Sequence, residues 1–225
     1  MLTIVLLAVV VVALLILWFS RKRSVKVVVA HYKEDIEWLN KLKYDFIVYE
    51  KEKEGYKYNI PVNKGREASV YMKYIIDHYD KLPDYVIFIH GHESDWHHKE
   101  SMVKKINSLL FFWDYFNLND SGCKFTLMYD KLFLMNNIDE AGPSMVDWWE
   151  QNMEPFFGPP ESYGNPINKD TCCSQFVVSK KNILRHPIEF YKHQYNWLIT
   201  TDIDNFYSGR YYEWLWKFIF STNSK

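Results

Sequence analysis

The feature that most constrains this chain is the stretch Pro83–His98, PDYVIFIHGHESDWHH. Pro83-Asp84 opens it, and Tyr85-Val86-Ile87-Phe88-Ile89 follows as a run too apolar for a surface strand. A short apolar run bounded by turn signals fits a strand buried on both faces, as at the centre of an α/β sheet. Immediately after it, His90 to His98 carries four of the eight histidines together with Glu93 and Asp95. Open α/β sheets take their ligands beyond the carboxyl ends of the strands. The edge that this loop leaves is therefore expected to be the active or binding edge.

The flanking segments extend the same pattern. Ser24–Ala30 reads as a β-branched first strand, Ile36–Leu42 as a helix with apolar residues at three-residue steps, and Phe46–Tyr49 as a second strand. Lys51–Tyr58 reads as a charged, solvated connection. Strand, helix and strand in close succession predict a βαβ unit and parallel pairing. Ala68, Tyr71, Met72, Ile75, Ile76 and Tyr79 give a helix with one apolar face, ended before Pro83. A helix over Glu100–Phe112 and a strand over Lys124–Tyr129 are expected next. Past Asn136 the spacing predicts a short helix holding Trp148 and Trp149, then an irregular Gly- and Pro-containing loop over residues 157–166. A strand over Ser174–Val178 and a helix started by Pro187 follow. The last helix is expected to be capped by Ser208-Gly209 and to bury Tyr212, Leu215, Trp216, Ile219 and Phe220. The fold class is α/β: a mostly parallel central sheet flanked by helices, in one domain over residues 21–225.

Residues 1–20 are set apart. Leu2–Phe19 is an unbroken apolar run without a charge, about 27 Å long as a helix and sufficient for one bilayer crossing. A cleaved signal peptide wants a basic start, a shorter apolar core and a small-residue cleavage site. Here Arg21-Lys22-Arg23 follows the run instead, which predicts a retained single-pass anchor. The same basic residues favour a cytoplasmic C-terminal domain. The formal charge of −1 gives no electrostatic case for a nucleic-acid partner. Cys123, Cys172 and Cys173 are odd in number and imply no disulfide framework. Asn119-Asp120-Ser121 matches the N-glycosylation tripeptide, a pattern common by chance.

Four blocks, VVVAHYKEDIEWL, NKGREASVYMKYIIDHYDKLPDYVIFIHGH, CCSQFVVSKKNI and RYYEWLWKFIF, resemble a family catalogued as a domain of unknown function. The chain also resembles glycosyltransferases of the A-type, nucleotide-diphospho-sugar fold, with a hydrophobic first strand followed by a polar turn, here His31–Asp35. Metal-dependent members carry Asp-x-Asp after a later buried strand, whereas this sequence has His90-Gly91-His92 there. The resemblance implies a membrane-anchored transferase moving a sugar from a nucleotide-sugar donor to a glycan or other hydroxyl acceptor. It implies donor contacts from His31, Glu34, Asn63, Arg66, His90 and His92.

Each candidate has a plainer competing role. His90 and His92 alternate along an extended strand end and so face one side. They fit ligands of a divalent metal ion, completed by Asp95, His97 or His31, direct donors to diphosphate, or hydrogen-bonding groups closing the sheet edge. Paired imidazoles suit zinc-like metals better than hard oxygen-seeking ions. His97 and His98 are expected on the surface. The Asn63–Glu67 segment precedes a helix, where free N–H groups and the dipole favour phosphate, with Arg66 adding a bidentate contact; an ordinary helix start with Glu67 on the dipole is the alternative. Glu213 is the candidate catalytic base and Asp95 the second, against a surface acid paired with Lys217. Trp148, Trp149 and Asn165 are expected to shape the acceptor site, with core packing as the competing role of the tryptophans. Cys172 and Cys173 read as small buried residues before a core strand. Two other functions stay open: a metal-dependent hydrolase using the His90–His98 loop, and a non-catalytic membrane-tethered binding module.

Overall fold

The computed structural model describes residues 22–96, 98–120, 124–127, 145–164, 167–171 and 173–223, with Leu7 and Val10 isolated ahead of them. The Leu2–Phe19 run, His97, Cys123, Cys172 and Asn165 therefore lie outside the described residues, apart from Leu7 and Val10. No helix among the described residues is long and apolar enough to cross a membrane.

The first strand, β1, covers Val25–His31, and β2 covers Phe46–Lys51. The segment between them forms a 3-10 turn over Glu37–Lys41 rather than the expected helix. A two-residue strand, β3 (Asn59–Ile60), pairs parallel with β2 directly after what the sequence reads as connection. Helix α1 (Ala68–His78) leads to β4 (Tyr85–His90). The short helix α2 (Met102–Asn107) and strand β5 (Tyr115–Asn117) come next. Strands β6 (Lys124–Leu127) and β7 (Asn168–Thr171) pair as a separate two-stranded sheet. Helices α3 (Met145–Asn152) and α4 (Glu154–Phe157) lie between them in sequence. Strand β8 (Phe176–Ser179) is followed by α5 (Lys180–Ile183) and α6 (Ile188–Thr200).

The expected last helix is two helices, α7 (Asn205–Glu213) and α8 (Trp216–Ser221). The carboxylate of Asp204 caps α7 by accepting from the Phe206 N–H at 2.7 Å, so Ser208-Gly209 is helix interior and not a cap. Gly209 has a different use. A Cβ there would lie 2.8 Å from the Arg66 side chain, so the bare glycine lets Arg66 cross α7.

The main sheet has six strands in the order β3-β2-β1-β4-β8-β5. Strands β1, β2, β3 and β4 are parallel, but β8 runs antiparallel to both β4 and β5. The sheet is thus mixed, not mostly parallel. The hydrophobic pattern of a doubly buried strand is the same in either direction. Direction is set by where the chain enters, and Cys173 and Ser174 deliver β8 from the edge at which β1 and β4 end.

Alternation along the strands builds a core on each face. Val28, Val86, Phe88, Phe176 and Val178 pack with α1, α3, α6, α7 and α8 in a core rich in aromatics. Val27, Val29, Ile87 and Ile89 pack with Trp38, Leu39, Met102 and Ile106 on the other face. Covered on both faces, the sheet presents its polar strand ends at one edge. There the β1–β4 register sets Ala30 opposite His90, and the β1–β2 register sets His31 opposite Glu50.

Candidate functional site

A cavity of about 320 Å³ opens at this edge, over the carboxyl ends of β1, β2 and β4. From β1 the chain departs to β2 on one side, while β4 lies on the other, a switch point where an open sheet leaves a crevice for ligand. His31, Glu34, Asn63, Arg66, His90, His92, Asp95 and Glu213 all line it. The structure therefore brings together every residue expected to bind donor or supply a base. Lys51, Glu67, Trp96, Ser174 and Asn205 line it too, and sequence reasoning assigned none of them to a site.

The β1 turn is held by charge. Both oxygens of Glu50 lie 2.8 Å from His31 Nδ1, and the Glu34 carbonyl lies 2.9 Å from His31 Nε2. The Tyr32 N–H donates to Glu34 Oε2 at 2.6 Å, and Glu34 Oε1 sits 3.8 Å from His92 Nε2. His31 is buried, so it orients the turn and offers a ligand little surface.

On the opposite wall, Gly65 at φ 64° and Arg66 at φ 45° turn the chain into α1. A Cβ at Gly65 would lie 2.2 Å from Leu198 Cδ2, so glycine lets this turn press onto α6. The Arg66 N–H donates to Asn205 Oδ1 at 2.7 Å. Arg66 Nη1 pairs with Glu213 Oε1 at 2.8 Å, and its guanidinium lies 5.0 Å from the Phe206 ring centroid. Glu213 is thus an internal partner of Arg66. The alternative of a surface acid bound to Lys217 is not what the structure shows.

Glu67 is the carboxylate that the sequence left on the helix dipole. Ser174 and the backbone N–H at the helix start favour its charged form, and the carboxylate of Glu213 opposes it. Burial, then the like charge of Glu213, pushes its carboxyl up to about 7. The helix start thus already carries an acid where phosphate was expected, and one of its N–H groups is given to Asn205. Lys51, buried at the end of β2, donates to the Arg66 carbonyl and to Asn63 Oδ1 at 3.3 Å. Burial lowers its ammonium to about 8, opposed by Glu67 and Glu34. The signal for Lys51 was available: it ends the apolar strand FIVYEK at the same edge as His90. The signal for Glu67 was not, because its acidity depends on Glu213, which lies far along the chain.

The histidine loop is pinned from several sides. Gly91 accepts from Trp38 Nε1 at 2.8 Å, and Glu93 takes the Met102 N–H at 2.9 Å and the Ser101 hydroxyl at 2.6 Å. Asp95 and His98 exchange backbone hydrogen bonds at 3.1 Å each way. His98 is fully buried, contrary to the surface position expected. One ligand atom each from His90, His92 and Asp95 lie within 4.8 Å of one another. Trp96 stands at the cavity mouth with 72 % of its surface exposed.

Trp148 and Trp149 go elsewhere. They are 2 % and 0 % exposed, and Trp149 Nε1 donates to the Gly158 carbonyl at 3.1 Å. Neither presents a ring face to an acceptor, because the aromatic content of this segment fills the larger core. Asn119 is also closed to modification in the folded chain, being buried with its amide donating to Asn117 Oδ1 at 2.9 Å.

The fold and site define an α/β protein with a mixed six-stranded sheet and a cavity lined by charged residues at a strand-end switch point. The chain belongs to the family described as protein of unknown function (DUF3431), which matches residues 27–225. No curated protein and no solved structure matches it.

Proposed function

We propose that this cavity is the active site of a glycosyltransferase-like enzyme, anchored in a membrane by Leu2–Phe19, that moves a sugar from a nucleotide-diphosphate donor to a hydroxyl acceptor. The observation that carries the reading is convergence. Eight residues proposed from separate segments line one crevice, with cationic Lys51 and Arg66 opposite the carboxylates Glu67 and Glu213.

The donor diphosphate is anionic and its charge grows as the sugar departs. Lys51 and Arg66 are preplaced positive groups for that change, in a site partly shielded from water. The acceptor oxygen bonds to the anomeric carbon while the anomeric carbon–phosphate oxygen bond breaks, and the electron pair leaves with the diphosphate. A base must take the hydroxyl proton. A carboxylate with a pKa near the working pH does this best, which moves the role from Glu213 or Asp95 to Glu67. Glu213 is then the positioning residue that keeps Arg66 in place and raises the affinity of Glu67 for a proton. Exposed Trp96 supplies the stacking surface once expected from Trp148 and Trp149.

The test is calorimetry of the full chain in detergent against a panel of UDP- and GDP-hexoses, with and without Mn²⁺. Binding of at least one donor, weakened roughly tenfold or more in Arg66→Ala, is expected. Absence of binding across the panel under both conditions overturns the reading. A metal-dependent hydrolase is favoured instead by one specific observation, the His90, His92 and Asp95 cluster. Release of free sugar or phosphate without any transfer to acceptor distinguishes it.

A further inference from the structure

We propose that His90, His92 and Asp95 form a binding site for a first-row transition-metal dication, with Zn²⁺ as its reference occupant. Their ligand atoms already lie within 4.8 Å of one another. In a tetrahedral zinc site, bonds of about 2.0–2.1 Å place ligand atoms roughly 3.3 Å apart. The difference, at most about 1.5 Å, is on the scale that side-chain rotation covers.

The backbone under the three residues is fixed. His90 ends β4 in register with Ala30, and Gly91 accepts from the buried Trp38 indole at 2.8 Å. Asp95 is held by its exchange of backbone bonds with His98, and its Oδ1 accepts from the Trp96 N–H at 2.6 Å, which orients the carboxylate. Glu34 stands 3.8 Å behind His92 Nε2. At that separation the two are not hydrogen-bonded, and Glu34 adds negative charge beside the cluster, which favours a cation there.

The donor set selects the ion. Two imidazoles and one carboxylate are borderline ligands suited to Zn²⁺, Co²⁺ or Fe²⁺, whereas Mg²⁺ and Ca²⁺ seek oxygen shells. Three protein ligands also leave at least one position open, the arrangement of catalytic rather than structural zinc. All three ligand residues line the cavity shared with Lys51 and Arg66, where a substrate group could complete the coordination. The inference deepens the reading of the same cavity, but metal binding is measured without any donor.

The experiment strips the full chain with chelator, removes the chelator, and titrates Zn²⁺, Co²⁺ and Mg²⁺ by calorimetry, with the visible spectrum of the Co²⁺ form as a second readout. One equivalent of Zn²⁺ or Co²⁺ per chain is expected, with no Mg²⁺ binding at the same concentrations. His92→Ala and Asp95→Ala should each weaken binding at least tenfold and change the Co²⁺ spectrum. The His92 side chain is half exposed, so its removal leaves the fold intact. Lys181→Ala, an exposed substitution away from the cavity, should bind metal as the native chain does. Lack of a stoichiometric transition metal, a preference for Mg²⁺, or unchanged affinity in both ligand variants overturns the inference. A chain that binds donor but takes up no transition metal removes the metal and keeps the transferase; tight metal with no donor binding does the reverse.

Discussion

The aromatic core behind the sheet and the charged edge in front of it solve opposite problems. In the core, large side chains are fully buried and several of their polar tips are answered. The Tyr212 hydroxyl donates to Gln194 Oε1 at 2.7 Å, Gln194 Nε2 donates to the Asn152 carbonyl at 2.6 Å, and the Tyr71 hydroxyl donates to the Ser174 carbonyl at 2.7 Å. At the edge, Lys51, Arg66, Glu67 and Glu213 crowd together, and burial pushes Glu67 and Lys51 toward neutrality. Four non-glycine residues with left-handed backbone also lie in or beside the cavity wall: Lys33 at 79°, Glu52 at 58°, Arg66 at 45° and Cys173 at 78°. Such conformations cost about 1–3 kcal/mol each and persist where the surroundings impose them. The core maximises stability. The edge holds charge and strain that packing alone gives no reason to keep.

Substitutions break or sharpen this contrast. Glu67→Gln carries the largest expected effect: sugar transfer should fall about 10²–10⁴-fold, and the rise of activity through about pH 7 should vanish. Unfolding in urea should show no matching loss of stability; if it does, Glu67 belongs to the core's logic after all. Trp149→Ala, away from the cavity, should cost about 3–5 kcal/mol in the same unfolding measurement, since the ring is fully buried. Retained stability there would mean that the core is less tightly packed than the structure shows.

The next effect follows from the raised carboxyl of Glu67. The folded chain keeps this proton up to about pH 7, and an ordinary glutamate loses it near 4.5. Between those values the native state binds more protons than the unfolded one. Stability therefore falls as pH rises through this window, on the order of 1–3 kcal/mol. Chemical unfolding of the native chain and Glu67→Gln across pH 4.5–7 isolates it, because the variant should lack this component. The smallest stability effect belongs to Trp96→Ala, within about 0.5 kcal/mol, because the ring is 72 % exposed. Its donor or acceptor affinity should nonetheless drop about fivefold to thirtyfold by calorimetry. A Trp96 variant that binds normally would leave the cavity mouth without its stacking surface.

Much of this architecture was legible before folding. Tyr85–Ile89 announces a doubly buried strand because hydrophobic periodicity is local, and the abrupt change at His90 marks its polar end. The buried residues of the last segment, Tyr212, Leu215, Trp216, Ile219 and Phe220, were equally legible from their spacing. The break between α7 and α8 was not, and neither was the direction of β8, since neither changes which residues are apolar. The tryptophans left two roles open for a related reason. Composition counts aromatic rings, but only packing decides whether a ring fills a core, as Trp149 does, or stands at a cavity mouth, as Trp96 does.

By itself the sequence determined which edge of the sheet is polar, because that edge follows from the order of apolar and polar residues along single strands. Tertiary structure alone decided which acid there holds its proton up to about neutral pH. The proton affinity of Glu67 is set by burial and by Glu213, brought to it from the far end of the chain by the folding of α7 against α1.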